Sequence, residues 1–163
     1  MSDKQQHILV IRLGALGDLV FCFQSFHEIR QAHPDARIVL LTRAPFAGFG
    51  RMLPWFDDVI IEKHPRFLQW GEWWKLLKNI RAFAPWRIYD LQGKPRQSIL
   101  YYLLGRPEWS GAVAGCAFPR PAIKPTMHFM DFLAAQLRVA HVPSMPKPNL
   151  DWFDAPINGF DLP

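Results

Sequence analysis

The chain has 163 residues, half of them hydrophobic and 20% charged, with two cysteines and a formal charge of +5 when its six histidines are counted neutral. That length and apolar content fit one domain with a sizeable core and exclude a disordered chain, while two cysteines are too few for a disulfide framework, so a reduced, cytoplasmic setting is expected. The positive excess suits anionic partners (phosphorylated substrates, nucleic acid or an acidic membrane surface) and serves equally well for solubility alone.

From His7 the chain reads H-I-L-V-I-R-L-G-A-L-G-D. Ile8–Leu13 is a nearly continuous apolar run, the pattern of a strand covered on both faces in a parallel sheet. Only a short polar lead precedes it, so no secretory signal is expected. The Gly14–Gly17 turn leads into a helix over Leu19–His33, with Asp18 placed to cap it and Pro34 ending it. Arg37–Thr42 is a second buried strand, and strand, helix and strand in so short a span form a βαβ unit. Ala44–Met52, interrupted by Pro45 and two glycines, reads as a short helix or an irregular turn. Asp58–Glu62 is a third strand, Phe67–Phe83 a tryptophan-rich helix closed by Ala84-Pro85, and Arg87–Leu91 a fourth strand. Pro95 suits the first turn of a helix over Arg96–Leu104, with Gly105 as its stop. Trp109–Ala112 reads as a short fifth strand and Ala114–Pro125 as loop. Thr126–Ala140 is the last helix, with Phe129, Leu133, Leu137 and Ala140 sharing a face. No apolar run approaches the roughly 18 residues of a spanning helix. The alternation over 1–142 predicts an α/β domain with a parallel sheet flanked by helices. After Val142, five prolines mark 143–163 as an extended tail or linker.

Two turns at strand ends carry the charges. Gly14–Asp18 reads G-x-x-G-D, neither the G-x-G-x-x-G of a dinucleotide site nor a P-loop, so no cofactor is assigned. Asp18 has two readings that do not exclude each other. One is a capping carboxylate worth about 1 kcal/mol to the helix. The other is a general base at the carboxyl edge of the first strand, where α/β sheets place their ligand crevices. Gln92, Lys94 and Arg96 follow the fourth strand and reach the same edge; the two cations suit a phosphate or carboxylate, or form a solvated basic turn. The Phe67–Phe83 helix combines Trp70, Trp73 and Trp74 with Lys75, Lys78 and Arg81, which fits core plus a solvated face or a helix lying in a lipid interface. The histidines lack ligand spacing and the cysteines lack a nucleophile signature, so no metal site is expected. No helix-turn-helix, RRM or KH pattern supports nucleic acid binding.

I-L-V-I-R-L-G-A-L-G-D-L at Ile8–Leu19 resembles the opening of glycosyltransferase family 9, the lipopolysaccharide heptosyltransferases. The likeness continues in A-H-P-D-A-R-I at Ala32–Ile38, D-D-V-I at Asp57–Ile60 and Y-D-L-Q-G at Tyr89–Gly93. It extends through the Met127–Val142 helix to N-L-D-W at Asn149–Trp152, and so covers almost the whole chain. The resemblance implies a GT-B architecture, two Rossmann-like domains facing across a cleft, with this chain as the N-terminal, acceptor-binding one. It implies that Asp18 is the general base that deprotonates an acceptor sugar hydroxyl, which then displaces ADP from an ADP-heptose-like donor with inversion and without a tightly bound metal. The acceptor it implies is a phosphorylated glycolipid of the lipopolysaccharide inner core, met at the inner face of the inner membrane, with peripheral contact to anionic lipid. Arg12 stands where the family has lysine or arginine, and Gly14 where serine is common. With Gly17, Gln92, Lys94 and Arg96 they are the expected acceptor-binding residues. The family's donor-binding motifs have no counterpart before Pro163, so the expectation is an acceptor half that does not transfer sugar by itself. Two other classes stay open: a non-catalytic Rossmann-like module for an anionic sugar or nucleotide, and a fragment whose cleft face self-associates.

Overall fold

A computed structural model describes residues 6–63, 69–122 and 126–151. Its centre is β1 (His7–Ile11), flanked by β2 (Arg37–Arg43) and β4 (Arg87–Asp90). Outside β2 lies β3 (Asp58–Glu62); outside β4 lie β5 (Glu108–Gly111) and a two-residue edge strand, β6 (Phe118–Pro119). Every pairing is parallel, in the order β3-β2-β1-β4-β5-β6, which is a Rossmann-like sheet. The chain builds outward from β1 to β3 and then returns to the other side of β1. The reversal leaves a crevice between the carboxyl ends of β1 and β4, the place where open α/β sheets hold ligands.

The pleat sorts the strand residues between two cores. Ile8 and Val10 of β1 face one side with Ile38, Leu40 and Tyr89, while Leu9 and Ile11 face the other with Val39, Leu41 and Ile88. Because helices cover both faces, the strand reads as an unbroken apolar run. The first core is closed by α1 (Leu16–Phe21), α2 (Phe23–Ala32), α3 (Ala44–Met52) and α6 (Phe129–Val139), through residues such as Leu19, Phe26, Ala47 and Leu133. The second is closed by α4 (Trp70–Phe83) and α5 (Pro95–Leu103), through Trp73, Leu77, Ile80 and Leu100.

Several boundaries differ from expectation. The helix read over Leu19–His33 begins earlier and is two helices, divided at Cys22. There the N–H bonds to the Leu19 carbonyl at 3.1 Å, a tighter turn than the α-helical ladder. Leu19, Cys22 and Phe26 are all buried at helical spacing, so the apolar period runs straight through the break and hides it. Asp18 is consequently the third residue of α1 and not its cap, which is Ala15. Ala44–Met52 is a helix, with Pro45 in its first turn. Phe67 and Leu68, read as the start of the tryptophan-rich helix, lie outside the described residues. Ala114–Pro125 is not wholly loop, since it contributes β6. The last helix starts at Phe129, after His128 in extended conformation. The segment following Val142 lies against α2: Gln24 Nε2 donates to the Met145 carbonyl at 2.8 Å, and the Met145 N–H to Glu28 Oε1 at 3.2 Å.

Candidate functional site

Parallel pairing puts Ile11 opposite Asp90, so the residues that follow each strand emerge side by side in the crevice. Arg12 is the first to leave β1. Its side chain is buried, yet its guanidinium reaches both walls: Nη1 donates to the Leu91 carbonyl at 2.6 Å, and Nη2 pairs with Asp18 Oδ2 at 3.0 Å. The group also lies over the Phe129 ring at 5.1 Å, which fixes its plane. Leu13 then donates its N–H to Gln92 Oε1 at 3.0 Å, a second tie between the two strand ends.

Asp18 is held at this junction with its side chain 46% exposed. Its Oδ2 also accepts the Ala15 N–H at 3.1 Å, the reach-back half of a capping box. Alanine at the cap has no side-chain acceptor to complete the other half. Both contacts fall on Oδ2, and Oδ1 has none among the described residues. The result is a carboxylate oriented by a buried cation, with one oxygen held and the other facing no partner among the described residues.

Beneath the crevice lies a buried polar layer that the sequence reading did not single out. Asp90 is fully buried; its Oδ1 accepts the N–H groups of Gln92 at 3.0 Å and Gly93 at 2.8 Å, and so shapes the turn that presents Gln92. Burial pushes the Asp90 carboxyl up to about 6, against the opposing pull of the Gly93 N–H, Arg120, the Gln92 N–H and Arg12. Its Oδ2 finds no partner among the described residues. Arg120 enters from the β6 segment, donating to the Asp90 carbonyl at 2.9 Å and to Gln136 Oε1 at 2.8 Å. Gln136 of α6 returns its amide to the Asp90 and Ser110 carbonyls at 3.0 and 3.2 Å. Burial lowers the Arg120 guanidinium, which places a second cation behind the site in a region poor in water. The Arg12–Asp18 pair at the crevice is thus backed by a second, more deeply set arginine and aspartate.

The other expected residues divide. Gly14 is required where it stands: φ is +114°, and a Cβ would run into the Phe46 ring of α3. Serine, common there in the resembling family, has no room. Gly17 lies in α1, where a Cβ would meet nothing within 4 Å, so neither space nor conformation requires it. Lys94 is exposed at the N-cap of α5, and no contact joins it to the Arg12–Asp18 pair among the described residues. Arg96 lies in the first turn of α5, and its side chain is outside the described residues. Gly93 has φ +62°, and a Cβ there would overlap the Arg120 guanidinium. Cys22, packed below α1, is pushed by burial to about 12, which leaves an inert thiol and no nucleophile. Among the described residues, no group of His, Cys, Asp and Glu could hold a metal ion.

No protein-family model matches the chain, and no curated protein does. Solved structures do. A glycosyl transferase of family 9 from Veillonella parvula superposes with a TM-score of 0.74 at 19% identity, over 88% of this chain and 43% of that one. The E. coli ADP-heptose lipopolysaccharide heptosyltransferase II superposes with a TM-score of 0.66 at 20% identity, over 88% and 44%. The E. coli heptosyltransferase WaaC, solved with ADP, superposes with a TM-score of 0.61 at 16% identity, over 88% and 48%. The chain thus spans a little under half the length of each, and it has the fold of one Rossmann-like half of these two-part glycosyltransferases.

Proposed function

We propose that this chain is the acceptor-side half of an inverting family 9 glycosyltransferase, with Asp18 as its general base. The observation that carries the reading is the Arg12–Asp18 pair at the β1–β4 switch point, where a buried cation fixes one carboxylate oxygen and leaves the other unbonded. In the reaction, an acceptor sugar hydroxyl attacks the anomeric carbon of an ADP-sugar. A new carbon–oxygen bond forms, the bond to the diphosphate breaks, ADP leaves with the electron pair, and the hydroxyl proton passes to Asp18. Arg12 is a positioning residue: it acts on the substrate through Asp18. Gln92 and Lys94 line the acceptor side, the lysine suiting a phosphate on an inner-core glycolipid. The donor sits on a second domain facing the crevice. Leu16, Val20 and Phe21 of α1, each 47% or more exposed beside Asp18, support such a covering. An acceptor of this kind is anchored in a membrane, so the domain works at an anionic lipid surface.

The test is transfer from ADP-heptose to a phosphorylated, heptose-deficient inner-core glycolipid, in the natural polypeptide that carries these residues. Asp18→Asn keeps the Oδ2 contacts approximately isosteric, and kcat should fall by about 10²–10⁴ with a smaller change in acceptor KM. A variant retaining half its kcat would return Asp18 to a helix-stabilising role. The 163-residue chain alone should give no transfer; if it bound ADP-heptose tightly without reaction, the binding-module reading would replace this one.

A further inference from the structure

The face of the sheet opposite α1 and α6 carries an apolar surface that the crevice does not use. Trp73 packs inward, but Trp70 is 70% and Trp74 64% exposed. They stand in one column along α4, and Ile99, Tyr102 and Leu103 of α5 are exposed beside them. Between the two helices runs an open groove of about 680 Å³, floored by Trp73 and Leu77. Soluble proteins seldom leave two adjacent tryptophans in water without a use for them.

The charges beside the exposed tryptophans are basic. Lys78, Arg81 and Arg106 are exposed, while the one carboxylate of α4 and α5, Glu72, is paired with Lys75 at 2.8 Å on the β3 side of α4, where the two line a pocket with Ile61 and Lys63. Arg81 lies 6.0 Å from the Trp74 ring centre and donates to the Leu103 carbonyl at 2.7 Å, while Arg106 lies 5.5 Å from the Tyr102 ring centre. Aromatic rings and cations are thus interleaved at one level. That is the arrangement a helix needs to lie in a headgroup layer, with indoles at the acyl boundary and long basic side chains reaching back to phosphates. A second copy of the chain fits poorly. A two-fold contact through α4 would set Lys78 and Arg81 against their own equivalents.

Orientation adds a further point. α4 follows the carboxyl end of β3 and α5 follows that of β4, so Trp70 and the start of α5 lie toward the sheet edge that holds Asp18. We infer that the α4–α5 face, through Trp70 and Trp74 with Lys78, Arg81 and Arg106 beside them, docks the domain on an anionic lipid surface. This deepens the proposed reading, which already brings the domain to an anionic lipid surface, by assigning the face that docks there, and its observations are those of the α4–α5 face alone.

The test needs neither donor nor acceptor. The full 163-residue chain is sedimented with vesicles of phosphatidylcholine mixed with phosphatidylglycerol, and with phosphatidylcholine alone, at low and high salt. Binding should require the anionic lipid, weaken with salt, and bring tryptophan emission within reach of quenching by brominated acyl chains. Trp70→Ser with Trp74→Ser should weaken partitioning at least about tenfold while thermal unfolding stays in place, since both side chains are exposed. Lys78→Glu with Arg106→Glu should weaken it at least about 25-fold, about fivefold per cation removed. No binding at low salt, or equal binding to neutral vesicles, overturns the inference. A dimer seen by light scattering that the serine variants dissolve, with no vesicle binding, assigns the face to a second copy instead. Neither failure touches the Asp18 reading, which is measured by turnover.

Discussion

Asp90 offers a measurement that separates burial from the neighbouring charges. In the fold its carboxyl ionises near 6, against 3.8 for the free side chain, because burial outweighs two N–H donors and two guanidinium groups. Below about pH 3.8 the carboxyl is protonated in both the folded and the unfolded chain, and above about 6 it is ionised in both. Between these values the folded state holds a proton that the unfolded chain has released, so stability falls as pH rises through this window. At ~1.36 kcal/mol per pH step the whole titration amounts to about 3 kcal/mol, most of which falls between pH 4 and pH 7.5. Asp90→Asn keeps an oxygen for the Gln92 and Gly93 N–H groups and abolishes the titration. Urea unfolding of both proteins at these two pH values gives two stability differences. The variant should gain about 2 kcal/mol on the wild type between the lower and the higher pH, whatever its offset at either. His33 titrates in the opposite sense: burial, with Arg87 and Arg30 adding to it, pulls its imidazole down to about 4, so its contribution is present above 6.5 and lost as pH falls toward 4. Both proteins carry His33, so its effect cancels in the difference. A difference that stays flat within about 0.5 kcal/mol would falsify the claim that burial dominates at Asp90.

Arg12→Leu removes a buried donor that bridges the Leu91 carbonyl and Asp18; it should cost about 2–4 kcal/mol by urea unfolding and abolish transfer even in the fraction that folds. Gly93→Ala should destabilise by more than about 1 kcal/mol, because φ is +62° and the new methyl displaces the Arg120 guanidinium. Gly14→Ser should do likewise, and adding Phe46→Ala should recover only the steric share, since the φ of +114° persists. With dithionitrobenzoate, neither Cys22 nor Cys116 should react in the native protein, because both are buried with thiols pushed upward, whereas both should react in urea.

What the sequence revealed follows from which interactions are local. Ile8–Ile11 and Ile38–Leu41 are apolar without a gap because helices cover both faces of the sheet, and that signature needs no tertiary knowledge. The placement of the turns after β1 and β4 was legible for the same reason: a turn after a buried strand must emerge at the carboxyl edge. The α4 pattern showed tryptophans and cations on one helix but not which rings face out. That depends on the helix's rotation against the sheet, which buries Trp73 and leaves Trp70 and Trp74 in solvent. The layer of Asp90, Arg120 and Gln136 was invisible because its members come from three distant segments, and Arg120 sits in a stretch that reads only as loop. Asp18 shows how the two levels combine. A capping residue type after a glycine turn suggested an N-cap, but the fold starts α1 earlier and moves the carboxylate to the third helical position. From there Oδ2 reaches back to the Ala15 N–H and across to Arg12. Under the proposed function, capping and catalysis do not compete for the same atom: the oxygen that steadies the helix is the one the buried arginine fixes, and Oδ1 is the one proposed to take the proton.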